Sequence, residues 1–488
     1  MSTQGAPCCL ERRTAGVLLH LTSLPGTGPV GQLGPSARRF VDFLSASGVG
    51  VWQMLPVGPT GPDGSPYQSS SVHAGNPRLI ALEPLVAEGW LTTEQVAAGL
   101  PRAMAHAWQG FRASGDAHAR SAFEEFCRRH SGWLEDYALF SALHAERGGW
   151  WTWTAALRDR EPQALAQARA RLHERVAIAR FEQFVFFRQW AELRAHAHAC
   201  GVKLFGDMPI FVAHDSAEVW AHRELFDLDP DGMPRVVAGV PPDYFSATGQ
   251  RWGNPLYRWD AVERDGFGFW IDRLRTQLEL FDIVRVDHFR GFEAYWEIPA
   301  SEPDAVHGRW VKAPGEALFS CLRRVYDPLP VVAEDLGVIT PEVEALRDRF
   351  GLPGMKILQF AFSGQPDNPY LPFWYPERSV VYTGTHDNDT TLGWYSSLSE
   401  GARAYVQEFL GYPQEPMPWP LIRAALASNA RLAVIPMQDL LGLGDGHRMN
   451  LPGSSAGNWG WRFEWDAVPV HLADRMRRLV SLYGRFGR

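Results

Sequence analysis

Acidic side chains set closely behind short apolar runs are the part of this sequence with the clearest capacity for chemistry. They are Gly206-Asp207, Asp287-His288, Glu334-Asp335, the run Thr385-His386-Asp387-Asn388-Asp389, and Gln438-Asp439. A single Asp in such a place is ordinarily a helix cap or a turn former. Several that converge on one cavity have another use. Like charges and partial desolvation drive their pKa values apart and leave one carboxyl protonated beside one that is ionised. Such a pair is what cleavage of a glycosidic bond requires: an acid for the leaving oxygen and a carboxylate at the anomeric carbon. Tyr67, Tyr244, Phe245, Trp252, Phe289, Trp394, Trp459 and Trp461 lie among these motifs. Core packing accounts for an aromatic residue taken singly, but those in Pro- and Gly-rich loops suit the C–H faces of sugar rings.

The apolar runs themselves are short, rich in Val, Ile and Leu, and separated mostly by helix-like stretches, which is the pattern of βα units. They fall at residues 16–21, 50–55, 202–205, 281–286, 331–333, 355–360, 379–382 and 431–435. The fold class is therefore α/β, and eight such strands most simply close into a (β/α)8 TIM barrel; an open doubly wound sheet is the competing topology. Residues at the carboxyl ends of barrel strands meet on one face, so the acidic motifs would share a cavity. We expect residues 1–488 to form a single catalytic barrel with two insertions. Residues 85–180 are expected to be a mainly helical subdomain, and residues 212–267, rich in Pro, Gly, Asp and Trp, a loop-rich part of the active-site wall.

The bulk composition narrows the partners. A net charge of −8 without a basic block argues against nucleic acid or an anionic membrane surface, and 45% apolar residues rule out a mostly disordered chain. Cys8, Cys9, Cys127, Cys200 and Cys321 are irregularly spaced and are read as reduced. The apolar stretch from Val17 to Leu21 is too short for a secretory signal, and no run reaches membrane length, so the expected compartment is the cytoplasm. Three motifs are decoys. Gly453-Ser454-Ser455-Ala456-Gly457 lacks the strand and helix of a nucleophile elbow, and Asp227 to Gly232 lacks the closing Glu of a calcium loop, where Ala238 stands. His196 and His198 lie two apart on a helix and face different ways, so they are not a metal pair.

Six motifs taken together resemble one family. They are Ser65-Pro66-Tyr67-Gln68, the run Gly206 to Val212, the run Gly249 to Pro255, Arg285-Val286-Asp287-His288-Phe289-Arg290-Gly291-Phe292, Ala333-Glu334-Asp335-Leu336-Gly337, and Gly384-Thr385-His386-Asp387-Asn388. All are similar to motifs of the amylomaltase, or disproportionating, 4-α-glucanotransferases. That resemblance implies a retaining double displacement on α-1,4-glucans and maltooligosaccharides, with no metal and no organic cofactor. It implies Asp287 as nucleophile, Glu334 as acid and base, and Asp387 as stabiliser of the transition state. Arg285, two residues before Asp287 on the same side of its strand, would keep the nucleophile ionised. Asp207 and His386 would bind sugar hydroxyls, and Ser65, Tyr67, Gln250, Trp252 and Asn450 would line the subsites.

Two other activities compete with glucan transfer. A glycoside hydrolase would use the same carboxylates and differ only in admitting water, and a non-catalytic glycan-binding barrel would lack Asp287 or Glu334. The stretch from Pro241 to Pro255 bears on the first, since a segment that shields the intermediate favours sugar acceptors.

Overall fold

Eight short parallel strands frame the molecule, and the computed structural model describes residues 10–486 except 27, 115, 244, 245 and 455. Tyr244, Phe245, Ser455, Cys8 and Cys9 therefore lie outside the described residues. The strands are β1 (Thr14–Leu18), β2 (Val51–Gln53), β3 (Lys203–Met208), β4 (Ile283–Val286), β5 (Val331–Ala333), β6 (Gly354–Ile357), β7 (Ser379–Tyr382) and β8 (Leu432–Pro436). All eight expected strands are present, with ends shifted by a few residues. They pair in parallel in the order β6-β7-β8-β1-β2-β3-β4-β5. Between β5 and β6 the ring is bridged by the Ala333 N–H, which donates to the Pro353 carbonyl at 2.8 Å. The buried Asp335 adds a second link, accepting from the Met355 N–H at 2.7 Å while paired with Arg347. Gly354 permits this approach, because a Cβ there would meet the Asp335 carboxylate at 2.4 Å. The fold is thus a (β/α)8 barrel.

Alternation along the strands builds two cores. Leu18, Val51, Phe205, Ile283, Val332, Met355, Val380 and Leu432 fill the barrel interior. Their neighbours Val17, Trp52, Leu204, Val284, Val331, Val381 and Ala433 pack outward into the larger core under the helices. Burial on both faces explains why the strands read as unbroken apolar runs.

The two long gaps contrast. Between β2 and β3 the chain is helical from Glu83–Ala87 through His173–Ala199. An aromatic cluster of Trp108, Phe111, Phe123, Phe181 and Phe184 holds the earlier helices against that last, 27-residue one. Between β3 and β4, where we expected loops, Val236–Val240 and Gln250–Pro255 are strands. They join Ala294–Pro299 and Arg309–Lys312 in a four-stranded antiparallel sheet, whose other half follows β4. Gly239, Gly253 and Pro255 make these segments look like turns. Gly239 is instead a point of close approach, where a Cβ would lie 2.2 Å from the Gln250 carbonyl.

Candidate active site

At the carboxyl-terminal end of the barrel the inward-facing positions change from apolar to polar. On β3 the inner face runs from Phe205 to Asp207, and on β4 from Ile283 to Arg285 and on to Asp287 just beyond the strand. Strand register sets Asp207 beside Arg285. One guanidinium nitrogen of Arg285 donates to both Asp207 oxygens at 2.8 Å, and the other lies 2.8 Å from Asp287 Oδ1. A planar fork can hold two carboxylates in fixed positions in this way. Burial disfavours the Arg285 charge, yet Asp207 and then Asp287 outweigh it, and its pKa is raised well above the ordinary value. Burial also raises the Asp207 carboxyl, with Arg285 opposing. We expected Asp207 after β3, but it stands within the strand, its side chain 0% exposed.

Tyr67, in the segment after β2, extends this chain of contacts. Its hydroxyl donates to Asp207 Oδ2 at 2.8 Å and lies 2.9 Å from His386 Nε2. Since the one hydroxyl proton goes to Asp207, His386 must carry its proton on Nε2 and donate it. The two rings stack with centroids 5.3 Å apart, and Trp459 flanks both. His386 Nε2 is also 3.4 Å from Asp387 Oδ1. That carboxylate accepts from Asn450 Nδ2 at 2.6 Å, while Arg448 donates to the backbone carbonyls of Asp387 and Asn450, each at 2.7 Å.

Glu334, directly after β5, has a different setting. It is buried, and its two oxygens accept backbone N–H groups from His288 at 2.7 Å and Leu336 at 2.9 Å. Those bonds favour the charged form, as does Arg285, but burial is the largest influence and the Asp287 charge adds to it. The Glu334 carboxyl is pushed up to about 7. His288 links the two acids in sequence and space. It adopts a left-handed backbone, φ 51°, which turns its N–H toward Glu334. Its ring meets Trp252 edge-on at 4.8 Å, and burial lowers its pKa to about 4, so it is neutral. Trp252 Nε1 in turn donates to Gln250 Oε1 at 3.1 Å.

The structure thus brings Asp207, Arg285, Asp287, Tyr67, His386, Asp387 and Asn450 into one continuous network, with Glu334, Gln250 and Trp252 joined to it through His288. Ser65 is half-buried and is not part of this network. Its N–H donates to Asp63, and it makes no hydrogen bond to the three carboxylates. Asp439 is used up elsewhere, accepting from the hydroxyls of Thr383 and Thr391 at 2.6 Å and from the Thr391 N–H at 2.8 Å. Sequence reasoning missed His20 and Arg448. His20 follows β1, is buried, and is held neutral by burial and then by the nearby His386, with its pKa lowered to about 3. A polar residue at the end of a strand was its signal; Arg448 had none.

A parallel barrel that keeps one carboxyl protonated near neutrality beside another held by an arginine defines a class of protein, the enzymes that work on glycosidic bonds. The chain belongs to the 4-alpha-glucanotransferase family, whose model matches residues 19–467. It is 56% identical to the 4-alpha-glucanotransferase of Thermus thermophilus, over 96% of this chain and 98% of that one. To the 4-alpha-glucanotransferase of a Synechocystis strain it is 48% identical, over 98% and 99%. Among solved structures, an amylomaltase from Streptococcus agalactiae in complex with acarbose superposes with a TM-score of 0.94 at 36% identity, covering 97% of this chain and 100% of that one. The relatives bear the name of transferases, which weighs against the hydrolase alternative.

Proposed function

We propose that the protein moves segments of α-1,4-glucan, including maltooligosaccharides, onto the 4-hydroxyl of an acceptor glucan or glucose by a retaining double displacement at Asp287 and Glu334. Asp287 attacks the anomeric carbon while Glu334 gives its proton to the departing glycosidic oxygen, leaving a glycosyl ester on Asp287. The acceptor hydroxyl then attacks the same carbon, Glu334 takes its proton, and the Asp287 carboxylate leaves. Asp387 binds hydroxyls of the reacting sugar and stabilises its positive charge. His386, Asn450, Tyr67, Ser65, Gln250 and Trp252 line the subsites and Arg285 holds the nucleophile. Asp207, expected to bind sugar hydroxyls, has a side chain that is 0% exposed and bonded to Arg285 and Tyr67, so in this reading it acts by positioning them.

The observation that carries this reading is the Glu334 carboxyl, raised to about 7 by burial and by Asp287. It can be a proton donor and a proton acceptor at the same working pH. No step calls for a metal or an organic cofactor. The same reading takes residues 1–488 as one catalytic barrel, residues 85–180 as a helical insertion and residues 212–267 as part of the active-site wall. It places the enzyme in the cytoplasm, in keeping with the free thiols of Cys127, Cys200 and Cys321. No described helix is long and apolar enough to cross a membrane.

Incubation with maltotriose tests the activity. Transfer gives glucose together with chains longer than the substrate. Glucose and maltose alone, with reducing ends rising steadily, would mean hydrolysis, and no turnover would mean binding only.

A further inference from the structure

At the amino-terminal end of the barrel, opposite the active site, the structure brings together three metal-ligand side chains that the reaction does not use. The helix Pro35–Ala46 follows β1 and carries Asp42; the helix His173–Ala199 leads into β3, carries His196 and is ended by Cys200. His196 points away from His198, which binds Asp282 instead. The same helical spacing that separates those two histidines puts His196 beside Cys200, four residues on. Asp42 Oδ1 lies 2.8 Å from His196 Nε2, and Cys200 Sγ lies 3.9 Å from each of them. All three donor atoms fall within 4.8 Å of one another. Zinc bonds of about 2.3 Å to sulfur and about 2.0 Å to nitrogen or oxygen, set tetrahedrally, separate the donors by about 3.3–3.6 Å. The observed distances bracket those values, so small side-chain rotations would close the triad on an ion. The backbone there is already tied, since Ser45 Oγ donates to the Cys200 carbonyl at 3.0 Å.

We infer that Asp42, His196 and Cys200 form a binding site for a divalent cation of the zinc class, with three protein ligands and a water in the fourth position. Binding would release the Cys200 thiol proton to solvent and clamp two helices of the outer layer. The amino-terminal face of a barrel serves stability and not catalysis, so the ion stabilises the fold and leaves glucan transfer unchanged.

Cobalt is the probe. The full-length protein, stripped with a chelator and titrated with cobalt, is expected to develop a near-ultraviolet thiolate-to-metal band at one equivalent, bleached by added zinc. Cys200→Ser should lose that band, and His196→Ala should weaken zinc binding by about tenfold or more. Both variants should keep wild-type circular dichroism and transfer activity, and zinc should raise the Tm of the wild type but not of Cys200→Ser. Absence of a thiolate band in the folded wild type, or a band that survives Cys200→Ser, overturns the assignment. If Cys200→Ser fails to fold, Asp42→Asn serves in its place: unchanged zinc affinity in that variant would also overturn it.

Discussion

Asp287 and Glu334 stand at the ends of adjacent strands, yet the protein surrounds them in opposite ways. Asp287 has a guanidinium 2.8 Å away, itself locked by Asp207, and its side chain is 29% exposed. Glu334 is buried, has no ion-pair partner among the described residues, and is held by two backbone N–H groups. The first setting fixes a carboxylate in place against a cation while leaving it open to a substrate. The second favours a carboxyl that exchanges a proton near neutral pH. The difference between the two settings comes from the layer behind the acids, from Arg285, Asp207, Tyr67 and the turned backbone at His288, and the proposed division of labour rests on it.

Breaking either side of this contrast should have the largest effect. Asp287→Asn and Glu334→Gln are each expected to lower kcat for maltotriose disproportionation by about 10³-fold or more, with circular dichroism unchanged. Arg285→Lys comes next. Lysine cannot span Asp207 and Asp287 with one planar group, and misplacing the nucleophile should cost about 10²-fold in kcat. The same change leaves a cation in the network but moves its charge. If that weakens the charge felt at Glu334, whose pKa Arg285 lowers, the basic limb of the pH profile moves up. In the proposed mechanism the first half-reaction needs Glu334 protonated, so the wild-type kcat/KM should fall as pH rises through about 7. A profile flat from pH 6 to 9 would contradict that. Tyr67→Phe removes one bond to Asp207 and one to His386, and should lower kcat about tenfold. Trp252→Ala, acting through His288, should have the smallest effect on total turnover. It should show chiefly as a larger share of glucose and reducing ends relative to transfer products.

Much of this was legible before the fold was known. The eight strands could be read because burial on both faces leaves nothing but apolar residues in them, and the acids could be read because they end those runs. Register was not legible: that Asp207 lies inside β3 and directly beside Arg285 depends on pairing between strands far apart in sequence. For the same reason Asp439, another acid behind a strand, could not be told from those of the network, because its bonds to Thr383 and Thr391 depend on packing. The antiparallel sheet that carries Gln250 and Trp252 was hidden because half of it lies beyond β4, and its own glycines and proline read as turns. That His196 and His198 face different ways was legible from helical spacing, whereas the approach of Asp42 to His196 from another helix was not.

The central claim, that Asp287 carries the sugar while Glu334 moves the proton, is tested most directly by trapping the intermediate. Glu334→Gln should still react with an α-glucosyl fluoride, because fluoride leaves without a proton, and with no base to activate an acceptor the glucosyl-enzyme should accumulate. Peptide mass mapping is expected to find one glucosyl unit on Asp287. A label on another residue, or complete turnover with no covalent adduct, would contradict the account.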